Sequence, residues 1–175
     1  MATVDPSDKR EMTVRAYSLA HEYEQKYGSC PQCVLAAVQE VLGIVDDQGF
    51  KASYVLAGGG GLSGRGTCGA LTGGMMAISA KHGRDREHFA NEGYSNSFRL
   101  AKQLYDRFVT EYGSPICADV QTNLFGRSYN LWDQKDFKAF EEAGGHRDKC
   151  PEVAGKTAMW TVEILLKAEE RARQR

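Results

Sequence analysis

The chain is 175 residues long, with 42% hydrophobic residues, 22 basic against 23 acidic side chains and a net charge of −1. At about 150 residues per domain this is a single domain over 1–175 with a core of its own, and a near-neutral charge with both signs interspersed argues against a dedicated nucleic-acid binder. No apolar run approaches the roughly 18 residues that span a bilayer, and residues 1–12 lack the shape of a signal peptide, so no membrane span and a soluble, cytoplasmic protein are expected. Five cysteines are too few for a small secreted disulfide scaffold; in a reducing compartment they read as thiols, metal ligands or redox groups.

In chain order, Glu11 to Tyr27 has helical periodicity, with Met12, Ala16, Leu19, Ala20, Tyr23 and Tyr27 on one face and Gly28 as its stop. Residues 1–10 read as a polar tail. Ser29 and Cys30 predict the cap of a second helix, with Pro31 at its first position, a stripe of Val34, Leu35, Val38 and Leu42, and Gly43 as its end. Asp46 and Asp47 open a short segment through Phe50, Tyr54 and Val55. Then comes Ala57-Gly-Gly-Gly-Gly-Leu-Ser-Gly-Arg-Gly-Thr67, six of whose eleven residues are glycine. Such a run is either a flexible loop or a close-packed one whose backbone needs positive φ. Thr67 predicts the cap of a helix from Cys68 to about His82, whose Gly69, Ala70, Gly73, Gly74, Ala77 and Ala80 would let a neighbour pack close, which makes this helix central.

Arg84 to Tyr94 reads as a polar loop. From Ser95 or Ser97, Phe98, Ala101, Leu104, Tyr105, Phe108, Val109 and Tyr112 form the clearest amphipathic helix, which Gly113 ends. Ser114 and Pro115 start another helix with Cys117 in its first turn, whereas Gln121 to Leu131 has no clear period. Asp133 caps a short helix over Phe137 and Phe140, closed by Gly144 and Gly145. Cys150-Pro-Glu152 opens the last helix, through Val153, Met159, Val162, Ile164, Leu165 and Leu166 into a charged tail at 168–175. No alternating strand pattern of useful length and no internal repeat appear. The expected fold is all-α, six to eight short helices around a glycine-rich loop.

Cys30, Cys68, Cys117 and Cys150 all stand at or beside predicted helix starts. The free N–H groups and positive dipole end there stabilise a thiolate, which is both nucleophile and metal ligand; the plain alternative is that cysteine packs well at crowded helix ends. Cys30-Pro-Gln-Cys33 is a C-x-x-C similar to glutaredoxin-type redox sites, but a helix rather than a strand precedes it. The intervals of 34, 48 and 32 residues between the other cysteines are too long for a compact zinc module and match neither ferredoxin pattern. A cluster held from several helices is compatible with the sequence.

Tyr27-Gly-Ser-Cys30-Pro-Gln-Cys-Val-Leu, the glycine run into Cys68-Gly-Ala-Leu-Thr-Gly73, then Phe108 through Tyr-Gly113-Ser to Cys117, then Cys150-Pro-Glu-Val, together resemble the C-GCAxxG-C-C family, to which redox activity is ascribed. The resemblance runs from about Ala16 to Leu166. It implies that Cys30, Cys68, Cys117 and Cys150 are the four family cysteines, carrying electrons either as thiol/disulfide pairs or as ligands of an iron–sulfur or other metal centre. A similar domain accompanies an iron–sulfur centre in split-Soret cytochromes, although no C-x-x-C-H haem site occurs here. Cys33 is an addition to the family set, either a resolving thiol for Cys30 or a filler of a small core site. The resemblance implies a redox partner, or a small electrophilic or disulfide substrate.

Other signals are weaker. Gly59 to Gly64 satisfies G-x-G-x-x-G without the strand or βαβ unit of a dinucleotide site, and Gly155-Lys-Thr157 lies inside a predicted helix. The loop precedes a helix N-terminus and carries Arg65, so Gly59, Gly60, Gly61 and Arg65 are candidate contacts to an anionic ligand near Cys68. His21, His82, His88 and His146 form no ligand pair, and Trp132 and Trp160 support nothing specific. A reading from another class remains: a non-enzymatic module, self-associating or not, whose cysteines pack while the glycine loop grips a small ligand or partner.

Overall fold

The computed structural model describes residues 6–90 and 96–174. Among these the fold is eight α-helices, α1 (Pro6–Tyr27), α2 (Cys30–Leu42), α3 (Asp47–Ala52), α4 (Gly69–His82), α5 (Asn96–Tyr112), α6 (Cys117–Phe125), α7 (Gln134–Glu142) and α8 (Cys150–Arg173). An isolated bridge between Thr67 and Ile116 is the extended pairing found there. No helix among the described residues is long and apolar enough to cross a membrane.

α8 is the axis of the assembly, packed against α1, α2, α4 and α5, while α4 lies between α2, α5 and α8. The small residues that predicted a central α4 do what was expected of them. A Cβ on Gly73 would stand 2.6 Å from the Pro31 carbonyl oxygen of α2, and one on Gly74 would stand 2.6 Å from both Leu104 Cδ2 of α5 and Thr161 Oγ1 of α8. The stripe of α5 is buried at Leu100, Leu104, Phe108 and Tyr112, and that of α2 at Val34, Leu35 and Val38.

Helix ends follow the local chemistry in most places. Gly43, at φ +67°, closes α2 with its N–H on the Gln39 carbonyl at 2.7 Å. The Asp46 carboxylate accepts from the Gly49 N–H at 2.7 Å, and that of Asp133 from the Lys135 and Asp136 N–H groups at 2.9 Å each, as N-cap residues do.

Several expectations are corrected. α1 begins at Pro6 and α8 runs to Arg173, so the described parts of the two polar ends are helical. An apolar-period reading misses such turns because ion pairs hold them, among them Lys9 to Glu170, which ties the ends together, and Lys81 to Glu169. Ser29 occupies the N-cap position of α2 in the left-handed region, φ 61°, and its hydroxyl makes no cap; its carbonyl takes the Gln32 and Cys33 amides. Thr67 does not cap α4. Its bridge to Ile116 occupies it, and Cys68 stands at the N-cap instead. Within the aperiodic stretch from Gln121, α6 continues to Phe125; it buries little beyond Cys117, Val120 and Gln121, too short a stripe to show a period. A single π-helical turn, Gly145–Lys149, precedes α8. Ser95 and residues 91–94 of the polar loop lie outside the described residues.

Candidate functional site

The glycine run is the close-packed kind of loop. Gly58, Gly59, Gly60 and Gly61 all have positive φ, between +55° and +78°, which permits a tight coil that L side chains would strain. Its amides turn inward onto its own carbonyls: Gly60 to Leu56, Gly61 to Val55, Leu62 to Ala57, Gly64 to Gly58 and Gly66 to Gly59. The loop's carbonyls then dock a second helix start, the N–H of Cys117 bonding to Gly66 at 3.0 Å and that of Ala118 to Gly64 at 2.8 Å, while Cys68 donates to the Pro115 carbonyl at 2.7 Å. Sequence-distant Cys68 and Cys117 are thereby locked side by side.

Cys30 is the first residue of α2, Cys68 immediately precedes α4, Cys117 opens α6 and Cys150 opens α8. All four line one cavity of about 380 Å³, within the range of small-molecule sites. Gly58, Leu62, Val120, Leu124, Leu131 and Val153 supply apolar wall, and Tyr27, Tyr54, Phe137 and Phe140 supply aromatic faces.

Gly69 makes the closest approach feasible. A Cβ there would collide with Cys30 Sγ and stand 2.8 Å from Pro31 Cδ, so the residue after Cys68 leaves the room through which Cys30 reaches it. The Cys30 and Cys68 thiols are in hydrogen-bond contact. Cys117 Sγ accepts from Gln121 Nε2 at 3.7 Å, and Gln121 Oε1 is fixed in turn by the Tyr129 N–H at 2.8 Å.

The electrostatics run against the helix-dipole expectation. The hydrogen bond to Cys68, burial and the charge of Glu24 hold the Cys30 thiol well above its ordinary pKa. Burial, then the neighbouring Cys30, pushes Cys117 up to about 12. Burial and the Glu24 charge raise Cys150 as well. At Cys30 the hydrogen bond to Cys68 and burial, and at Cys117 and Cys150 burial, outweigh three favourable helix ends, so these three thiols are protonated at neutral pH.

Two cavity residues were missed by sequence reasoning. Glu24, 2% exposed, extends the buried Ala16 and Ala20 stripe of α1 by one more step of four residues; a carboxylate on that stripe was the available signal. Its Oε2 is buried and unpartnered, and burial raises its pKa above the ordinary carboxylate value. His146, on the π-turn, stands with Nε2 3.9 Å from Glu24 Oε1 and Nδ1 2.5 Å from Glu141 Oε1; no motif marks it. None of the described residues lining the cavity is Lys or Arg.

Cys33 does not line this cavity. Its thiol, 3% exposed, donates to the Gly28 carbonyl at 2.8 Å and lies beside the Glu24 side chain, and it borders a neighbouring hollow with Tyr23, Gln32 and Phe50. Gly59, Gly60, Gly61 and Arg65 are not in the cavity wall either. A Cβ on Gly59 would stand 3.1 Å from Cys117 Cβ, Arg65 is exposed, and the Gly61 carbonyl accepts the Trp132 indole N–H at 2.8 Å. No three His, Cys, Asp or Glu side chains among the described residues stand close enough to share one metal ion.

Among the described residues the protein is all-helical and gathers cysteines from four helix starts around one cavity. Residues 28–164 match the family described as "Putative redox-active protein (C_GCAxxG_C_C)", and the chain belongs to that family. A relative from Archaeoglobus fulgidus, named an uncharacterized protein, is 29% identical over 143 residues, which is 78% of this chain and 84% of that one. No solved structure matches the chain.

Proposed function

We propose that the protein is a thiol redox protein in which Cys68 and Cys30 are the reacting pair and a small disulfide or comparable electrophile, entering the cavity, is the acceptor. The observation that carries this reading is the Cys30–Cys68 hydrogen bond inside a cavity of about 380 Å³ shared with Cys117 and Cys150. Cys68, at the N-cap of α4 before the free N–H groups of a helix start, is the nucleophile in this reading. The Cys68 thiolate attacks one sulfur of the acceptor disulfide. A Cys68–substrate bond forms, the acceptor bond breaks, and the departing sulfur takes a proton. Cys30 then loses its proton and attacks Cys68 Sγ, forming the Cys30–Cys68 disulfide and releasing the second substrate thiol. Two protein thiols are oxidised, one acceptor disulfide is reduced, and the two released substrate thiols take up two protons in place of the two that Cys68 and Cys30 lose. Five unpaired cysteines suit a reducing compartment such as the cytoplasm.

The presence of four cysteines, rather than two, on one wall favours a second reading, an iron–sulfur or other metal centre. A single ion does not fit the arrangement, since no three donors converge; a centre several atoms wide fits the donor chemistry of Cys30, Cys68, Cys117 and Cys150, and would supply one-electron transfer. Anaerobic purification followed by iron, zinc and sulfide analysis, with thiols counted before and after reduction, separates the two. Metal-free protein with two more thiols after reduction supports the dithiol. Stoichiometric iron and sulfide replaces it with the cluster, and five unchanging thiols without metal refute both.

A further inference from the structure

We infer that Glu24 is the proton acceptor that releases Cys30 for its attack on the mixed disulfide, and that His146 and Glu141 pass the proton on to solvent. The inference rests on the dithiol reading above and adds a chain of proton carriers to it. Cys30 faces a cavity without Lys or Arg in its described wall, and once Cys68 is bonded to the substrate sulfur it cannot take the Cys30 proton. Resolution therefore needs a base inside the cavity, within hydrogen-bond reach or one water away. Glu24 shares that cavity, and its Oε2 is buried with nothing bonded to it.

The groups around Glu24 fix its direction of action. From α2, Cys30 and Cys33 face it; the Cys33 thiol stands beside the carboxylate with its proton donated to the Gly28 carbonyl. Cys150 of α8 and Cys117 of α6 feel its charge. Tyr27 lies on its own helix at the cavity wall. From the π-turn, His146 Nε2 stands 3.9 Å away, with Glu141 of α7 on its other ring nitrogen. Glu24 is sealed from water, while His146 and Glu141 are about one-third exposed, so the line from Glu24 through His146 to Glu141 leads outward. Burial raises the pKa of Glu24, and a stronger carboxylate base suits proton abstraction from a thiol.

The test is the rate at which wild type, Glu24→Gln, Glu24→Asp and His146→Gln resolve a mixed disulfide formed with hydroxyethyl disulfide, followed by intact mass from about pH 5 to 9. Glu24→Gln should accumulate the mixed disulfide on Cys68 and resolve it on the order of 100-fold more slowly at pH 7, the usual worth of a general base. The wild-type rate should fall as pH drops through the Glu24 titration, and Glu24→Gln should lack that limb. Glu24→Asp should restore it in part, and His146→Gln should slow resolution while leaving Glu24 in place. Equal rates and profiles in wild type and Glu24→Gln overturn the relay while leaving the dithiol reading intact. Wild type that never forms a Cys30–Cys68 disulfide overturns both. Should Glu24→Gln not fold, an unchanged profile in Glu24→Asp and His146→Gln overturns it as well.

Discussion

Gly69→Ala tests how the two reactive thiols come to touch. Gly69 has no positive φ, so alanine is allowed by the backbone, and at this first position of α4 it gains at most a fraction of the roughly 1 kcal/mol by which a helix interior favours it over glycine. Against this, the new methyl would meet Cys30 Sγ, Pro31 Cδ at 2.8 Å and Ala57 Cα at 3.2 Å. A rigid ring and a main-chain atom do not swing aside, and overpacking of this kind costs roughly 1–3 kcal/mol. The balance is a destabilisation of about 1 kcal/mol, or a fall in Tm of roughly 2–4 °C for a chain of this length. The larger effect falls on chemistry, because the one atom free to move is the Cys30 sulfur, and moving it breaks its contact with Cys68. Thermal melts followed by circular dichroism, together with mass-resolved formation of the Cys30–Cys68 disulfide, measure both. A variant that melts with the wild type and forms the disulfide at the wild-type rate would refute the packing argument.

Other changes should report on the same site. Glu24 has a raised folded pKa, so the stability tied to its neutral form is fully present below the ordinary carboxylate pKa and is lost as pH rises through the raised value; urea titrations from about pH 4 to 8 should show that loss in wild type and not in Glu24→Gln, and parallel curves would contradict it. Cys33→Ala removes the thiol bond to Gly28 and should lower stability by about 1 kcal/mol while the Cys30–Cys68 disulfide still forms; loss of that disulfide would make Cys33 part of the pair. Trp132→Phe deletes the indole donor to the Gly61 carbonyl, which should speed amide hydrogen exchange in residues 58–64, and unchanged exchange would show that the bond does not steady the loop.

The fold was legible where a pattern is local. The glycine stop of α2, the aspartate caps at Asp46 and Asp133, the stripe of α5 and the small residues of α4 each carry their reason in a few adjacent residues. The four cysteines were legible too, since their helix-start positions and family resemblance need no tertiary information, and all four line one cavity. What was not legible depends on distant partners. Whether the glycine run is loose or packed turns on its bonds to Cys117 and Ala118, some fifty residues further on. Thiol acidity followed burial and Glu24 rather than the helix ends, a balance that no spacing reveals. Glu24 and His146 acquire meaning only when α1 and the π-turn meet at the cavity.

The most direct test of the central claim is peptide mapping of protein treated with hydroxyethyl disulfide and then blocked with an alkylating agent. The account predicts a Cys30–Cys68 linkage, with Cys33, Cys117 and Cys150 alkylated as free thiols after unfolding. A linkage between any other pair, or five free thiols after the treatment, would contradict it.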